Sequence, residues 1–315
     1  MQFTENDELI AWLLAGDPAI RWQTLRDLLD RPEPEWQAER QLTLTAGWGA
    51  RFLSLQDADG RWGGGIYSPK WISTTYTLLT LRHIGIPRTC PAAQRGARLV
   101  LDDFAGEPGS EQTSRKLAAL DRCLAGMALQ LGVYFQVEEG RLDAILDNLL
   151  GERLPDGAWN CRKGKHGPQP VHSSFHTTFN VLEGVRDAIE LSGTPRCPQL
   201  LEAEAGALEF MLQHRLFKSH QTGQVSEPVF TQFSFPYRWH YDVLRGLETF
   251  ARLGAPRDPR LQDAIDLLNQ RRRKDGTWPV QHKYSGLIYF DMEKTGGPSR
   301  WNTLRALRVL KWWNQ

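Results

Sequence analysis

Along this chain apolar residues recur at three- and four-residue intervals, the spacing that lines one face of an α-helix. NDELIAWLLAG, EWQAERQLTLTAGWGARFLSLQ, PAAQRGARLVLDDF, RLDAILDNLLG, PQLLEAEAGALEFMLQHRLF and DPRLQDAIDLLNQRR each read as one amphipathic helix. Between them runs a second set with its own signature: a polar or aromatic start, then Thr or Asp, then a Leu-rich segment. Its copies are RWQTLRDLL (21–29), KWISTTYTLLTL (70–81), SFHTTFNVLEGV (174–185), RWHYDVLRGL (238–247) and RWNTLRALRVL (300–310). SRKLAALDRCLAGMALQLG (114–132) fills the gap after the second copy. Strand-type alternation is almost absent, so the pattern predicts an all-α protein. Alternating the two sets gives six helix pairs of about fifty residues each.

A shorter phrase punctuates the first set three times. Asp-Gly, one spacer and Trp occur as Asp59, Gly60, Trp62; Asp156, Gly157, Trp159; and Asp275, Gly276, Trp278. Asp-Gly signals a turn because Gly accepts positive φ, so the phrase predicts a helix-ending turn with Trp folded back onto the helix. The first and last copies of the second set share the phrase Arg-Trp-x-Thr-Leu-Arg, whereas open helical arrays end in atypical polar repeats. This predicts closure: a single domain over 1–315, an (α/α)6 toroid of six inner and six outer helices around a central aromatic cavity. Long Gly- and Pro-rich loops (60–70, 157–171, 217–237 and 276–299) would rim its mouth.

Charge adds exclusions. The 315 residues carry 38 Lys and Arg against 37 Asp and Glu, a net charge of +1, too balanced for recruitment to nucleic acid by bulk charge. No apolar run reaches the roughly 18 residues that span a bilayer, and acids stand where a signal peptide carries positive charge. These features predict a cytoplasmic protein without a transmembrane segment. The four cysteines are scattered, which suits reduced thiols better than a disulfide framework. Twelve Trp suggest packing joints, cavity walls or both.

Candidate chemistry gathers in the loops before the second-set helices. His172 and His176 are four apart at a predicted helix start; with Cys161 upstream they form a potential three-ligand zinc site, against the simpler role of capping. Further on lie His214, His220, His240 and Asp242. Asp242 stands where other copies carry Thr24, Thr75, Thr178 and Thr303, and is either a general acid in an aromatic setting or an ion-paired structural carboxylate. Tyr241 and Asp242 with the two histidines would line a reactive end. The Arg-Trp pairs would supply guanidiniums for an anionic group (Arg238, Arg300) and aromatic walls (Trp239, Trp301), joined by Trp71 and His240. Alternatively, Arg bonds the carbonyl ends of neighbouring helices and Trp fills seams.

The Asp-Gly-x-Trp phrases together with SSFHTTFNVLEGV resemble the terpenoid cyclase and protein prenyltransferase superfamily, and most closely short, single-toroid squalene cyclase-like bacterial proteins. The resemblance implies an α/α toroid acting on an apolar small molecule, isoprenoids among the candidates. The Asp-x-Asp-Asp acid of class II cyclases is missing; the nearest phrase is Leu101, Asp102, Asp103. Prenyltransferases hold zinc with Asp-x-Cys and a later His, and Asp121, Arg122, Cys123 and His176 stand in that order. Two other classes remain open: a carbohydrate-active (α/α)6 hydrolase or lyase using Asp242 with Glu183 or a His/Tyr pair, and a non-catalytic helical-repeat binding protein.

Overall fold

The computed structural model describes residues 3–107, 110–137, 140–162 and 167–315, so residues 163–166 of the 157–171 loop, His166 among them, lie outside it. The described residues are mostly helical: α1 (Glu8–Leu14), α2 (Pro18–Asp27), α3 (Glu33–Gln41), α4 (Gly47–Leu53), α5 (Thr74–His83), α6 (Pro91–Ala105), α7 (Glu111–Ala119), α8 (Arg122–Tyr134), α9 (Gly140–Gly151), α10 (Phe175–Leu191), α11 (Cys197–Gln213), α12 (Val243–Arg252), α13 (Gln262–Gln270) and α14 (Arg300–Trp313). One antiparallel pair of two-residue strands joins Trp278–Pro279 to Pro298–Ser299. The chain is therefore all-α, as its apolar spacing predicts.

Two expected helices are each broken in two. The 35–56 stretch stops at Gln41 and restarts at Gly47, which takes φ +68°, because the Trp48 amide turns to donate to Asp17 Oδ2 at 2.7 Å. A Cβ on Gly47 would lie 2.2 Å from that oxygen. The 114–132 stretch breaks at Leu120, whose extended backbone (ψ 138°) places Asp121 at the cap position of α8. Helix starts also move. Helix α12 begins at Val243 and α5 at Thr74, so Arg238–Tyr241 and Trp71 precede the helices in which the sequence pattern placed them.

The three Asp-Gly-Trp turns are copies in atomic detail. Gly60, Gly157 and Gly276 adopt φ of +93°, +94° and +82°, a region that strains any residue with a Cβ. In each turn the same two backbone bonds recur: Asp57, Leu154 and Arg273 accept from the glycine amide and donate to the carbonyl just before Trp. The Trp amide then donates to a threonine hydroxyl of the following second-set helix: Trp62 to Thr74 (3.0 Å), Trp159 to Thr178 (3.2 Å) and Trp278 to Thr303 (3.0 Å). Thr74, not Thr75, is thus the second copy's counterpart of Thr178 and Thr303. The indole N–H groups of Trp159 and Trp278 cap the carbonyls of Leu149 and Leu268, ten residues back in α9 and α13, each at 2.7 Å. All three indoles are fully buried. Each contributes on the order of 4–6 kcal/mol of gross transfer energy.

Contacts divide the chain into two compact units, Met1–Ser54 with Ile84–Pro87 and Leu212–Gln315, and Leu55–His83 with Arg88–Met211. In the first, α14 packs between α2 and α12. The two ends of the chain are joined there. Arg308 reaches Asp27 and Gln23 at 2.6 Å, Lys311 reaches the Asp27 carbonyl at the end of α2 (3.0 Å), and Arg300 Nε reaches the Trp12 carbonyl in the last turn of α1 (2.8 Å). In the second unit, α8 packs against α5 and α10 and is flanked by α6 and α9. Helices α8 and α10 approach to backbone contact: a Cβ on Gly126 would lie 2.5 Å from the Asn180 carbonyl. Second-set helices are buried on nearly every face, as Thr74–Arg82 of α5 illustrates, whereas α6 buries one stripe.

Candidate functional site

In the first unit, a polar and aromatic cluster forms ahead of α12. Asp242 is fully buried and caps the helix, accepting from the Arg245 amide (2.9 Å) and from the amide and hydroxyl of Ser234 (3.0 and 2.9 Å). Arg305 stands 3.8 Å away and is held by Glu248 at 2.6 Å. Burial opposes the Arg305 charge, but Glu248 and Asp242 outweigh it and raise its pKa. Tyr241 is buried with its hydroxyl donating to the Leu216 carbonyl at 2.7 Å; burial, then the Asp242 charge, push its pKa well above the usual phenol range. Tyr241 therefore keeps its proton at neutral pH. The Tyr237 ring carries the guanidiniums of Arg245 (4.5 Å) and Arg305 (4.9 Å), and the His240 ring stacks on both Trp239 (3.7 Å) and Tyr284 (3.5 Å). Arg238 is buried at φ +56°, a left-handed conformation that costs a non-glycine residue energy and is found disproportionately at functional sites.

Beside the start of α14 the first unit has a cavity of about 420 Å³, lined among others by Asp17, Trp48, Met292, Glu293, Lys294 and Arg300. Its carboxylates serve helix ends. Asp17 accepts from the Ala19 and Trp48 amides (2.9 and 2.7 Å), and Glu293 accepts from the Ser299 hydroxyl and the Trp301 amide (3.1 Å). Burial raises the pKa of both. The Arg300 guanidinium lies over the Trp12 ring at 4.5 Å while its Nε bonds the carbonyl end of α1, so this arginine both ties a helix terminus and lines the cavity. Trp301 stacks on Phe235 (4.9 Å, 20°), and Trp48 meets both rings. The buried indole N–H of Trp301 has no hydrogen-bond partner among the described residues. Asp17 and Glu293 escaped the sequence reading. Asp17 before Pro18 carries the pattern of a helix cap, which could have marked it, whereas Glu293 sits in a loop with no local signal.

The second unit holds Trp71, buried and edge-on to Tyr76 (4.8 Å), with Tyr67 against Tyr76 at 5.3 Å. In the same unit Cys123 and Cys161, 38 residues apart in sequence, come together. Because α8 starts at Arg122, Cys123 is its second residue and not deep within a helix; its amide donates to Cys161 Sγ at 3.4 Å. Thr177 Oγ1, in the first turn of α10, donates to the same sulfur at 3.4 Å. The thiol–thiol hydrogen bond with Cys123, followed by these donors against the opposing effect of burial, pulls the Cys161 thiol down to about 7, and the same bond together with burial pushes Cys123 well up.

His172 is exposed and lies two residues before Ser174, the cap of α10, so it does not share a helix face with His176. Among the described residues no group of three or more His, Cys, Asp and Glu side chains gathers as a metal site, so His172, His176 and Cys161 are not brought together as the sequence pattern suggests. Glu183 is paired with Arg82 at 3.3 Å and His83 at 3.5 Å. His214 and His220 pair with each other, ring nitrogens 2.9 Å apart. Of the predicted residues, Arg238 to Asp242 thus form one cluster, Arg300 lines the cavity of the same unit, Trp301 packs in that unit against Phe235 and Trp48, and Trp71, Cys161, His172 and His176 belong to the second unit. No helix among the described residues is long and apolar enough to cross a membrane. No protein-family model matches the chain, and no curated protein sequence matches it significantly.

Proposed function

We propose that the six helix pairs close into an (α/α)6 toroid and that the protein acts on an apolar substrate, isoprenoids among the candidates, held against aromatic rings at the starts of second-set helices. The observation that carries this reading is where the rings gather. Tyr67, Trp71 and Tyr76 meet at the start of α5, and Trp48, Phe235 and Trp301 at the start of α14. Simple seam filling would spread such rings along the helices. Closure is supported by the direct packing of α2 on α14, which leaves neither end of the chain as a polar cap. Arg300 lines the cavity together with Trp48 and offers a cation there for an anionic end group.

One observation favours a carbohydrate instead: the cavity beside α14 is lined by two carboxyl groups, Asp17 and Glu293, together with Trp48. Tryptophan fluorescence separates the two readings. Titration with farnesol, geranylgeraniol and their diphosphates should give saturable quenching at micromolar concentrations, lost in Trp301→Ala, and chito- and malto-oligosaccharides should give none. Quenching by oligosaccharides alone, removed by Asp17→Asn, would replace the isoprenoid reading. Binding of no probe up to millimolar concentration would overturn both.

A further inference from the structure

We propose that Cys161 and Cys123 form a thiol pair that exchanges with small disulfides, Cys161 attacking and Cys123 resolving. This inference is independent of the function proposed above. It rests on two donors that converge on one sulfur. The Cys123 amide belongs to the first turn of α8, where amide N–H groups have no carbonyl partner within the helix and the helix dipole favours negative charge. The Thr177 hydroxyl comes from the first turn of a second helix, α10. A sulfur that accepts from an amide and a hydroxyl is favoured as a thiolate, and the thiolate is the nucleophile in disulfide exchange.

Geometry also assigns the roles. Both cysteines are half-buried, so a small disulfide can reach the pair, whereas Cys90 is buried. The amide of Cys123 and the hydroxyl of Thr177 both donate to the Cys161 sulfur, which makes Cys161 the attacking sulfur and Cys123 the resolving one. The Cys161 thiolate attacks one sulfur of RSSR, forming a Cys161–SR mixed disulfide and releasing RS⁻. As Cys123 loses its proton to solvent, its sulfur attacks Cys161, forming the Cys123–Cys161 bond and expelling the second RS⁻. The protein loses two hydrogens and two electrons, and RSSR is reduced to two RSH. The Cys123 amide lies 3.4 Å from the Cys161 sulfur, so the backbone of one cysteine already sits beside the side chain of the other.

The test uses the reduced full-length protein and oxidised glutathione as the disulfide, read by intact mass and peptide mapping. The expected product is a Cys123–Cys161 crosslink with a loss of two hydrogens. Cys123→Ser should instead stop at one glutathione on Cys161, and Cys161→Ser should leave Cys123 unmodified. Alkylation of the unmodified wild-type protein by iodoacetamide at pH 7, which needs no variant to fold, should label Cys161 about tenfold faster than Cys197. Equal labelling of Cys161 and Cys197, or glutathione adducts without the crosslink in the wild-type protein, would overturn the proposal.

Discussion

Replacing Thr178 by Val tests whether the threonine joints hold the repeats together. The substitution keeps the volume and branching of a fully buried side chain and removes one hydroxyl. That hydroxyl accepts from the Trp159 amide at 3.2 Å and donates to the Trp159 carbonyl at 3.1 Å. The carbonyl keeps a second donor, the Ser174 amide at 2.9 Å, so only the amide is orphaned. One buried N–H without an acceptor costs about 1–3 kcal/mol. At about 2–4 °C per kcal/mol for a chain of this size, the melting temperature should fall by about 2–12 °C. Urea unfolding followed by far-UV circular dichroism, with a thermal scan, measures both. Thr303→Val, at the equivalent joint under Trp278, should cost a similar amount. Thr45→Val, exposed and with only a 3.5 Å bond to lose, should stay within about 0.5 kcal/mol of the parent. If Thr178→Val is as neutral as Thr45→Val, the joint is ornamental and the repeat argument loses its physical basis.

Other outcomes follow from the same geometry. Gly157→Ala should destabilise by about 1–3 kcal/mol in the same urea assay, since φ is +94° and the new Cβ would lie 2.8 Å from the Gly206 carbonyl. Arg308→Met should loosen the union of α14 with α2 by about 1.5–3 kcal/mol. Burial acts to raise the Asp27 carboxyl, but Arg308 and Arg26 outweigh it and hold its pKa low, so its contribution is full above the unfolded value near 4 and is lost as pH falls through the folded one. The gap between parent and Arg308→Met should accordingly narrow in acid unfolding. Glu293 has the opposite sign: burial raises its pKa, so the folded state binds its proton more tightly and loses stability as pH rises from the unfolded value near 4.3 through the folded one. Glu293→Gln should remove that loss, and its stability relative to the parent should climb across this window and then level off.

Much of the fold was legible because its signals are local. The Asp-Gly-x-Trp phrase states its own geometry: a glycine at positive φ and a large ring three residues from the aspartate, in all three copies. Helix boundaries were less legible wherever a partner distant in sequence decides them. Nothing near Gly47 shows that Trp48 will turn its amide to Asp17, and the apolar spacing of 114–132 runs smoothly across the break at Leu120. There the signal was available in Asp121, a good cap residue before an apolar run, and reading it would have put Cys123 at a helix start. The Arg-Trp phrase misled in a different way. In α14 it opens the helix, in α2 it sits one turn inside, and before α12 it lies outside the helix altogether, so one motif serves three backbone positions. Arg300 shows the structural one of its alternative roles, since its guanidinium caps the carbonyl end of α1, and the same residue lines the cavity. The Cys123–Cys161 contact joins residues 38 apart, and no spacing rule in a single sequence reveals it.

The most direct test of the central claim, that rings at helix starts hold an apolar molecule, is native mass spectrometry of the full-length protein. It should be recorded as purified, and again after equilibration with excess farnesol and geranylgeraniol. The predicted result is one apolar molecule per chain in the second measurement, retained on gentle activation and lost in a Trp301→Ala variant that keeps its helical circular dichroism. A bare chain in both measurements, or a bound glycan displaced by neither alcohol, would contradict it.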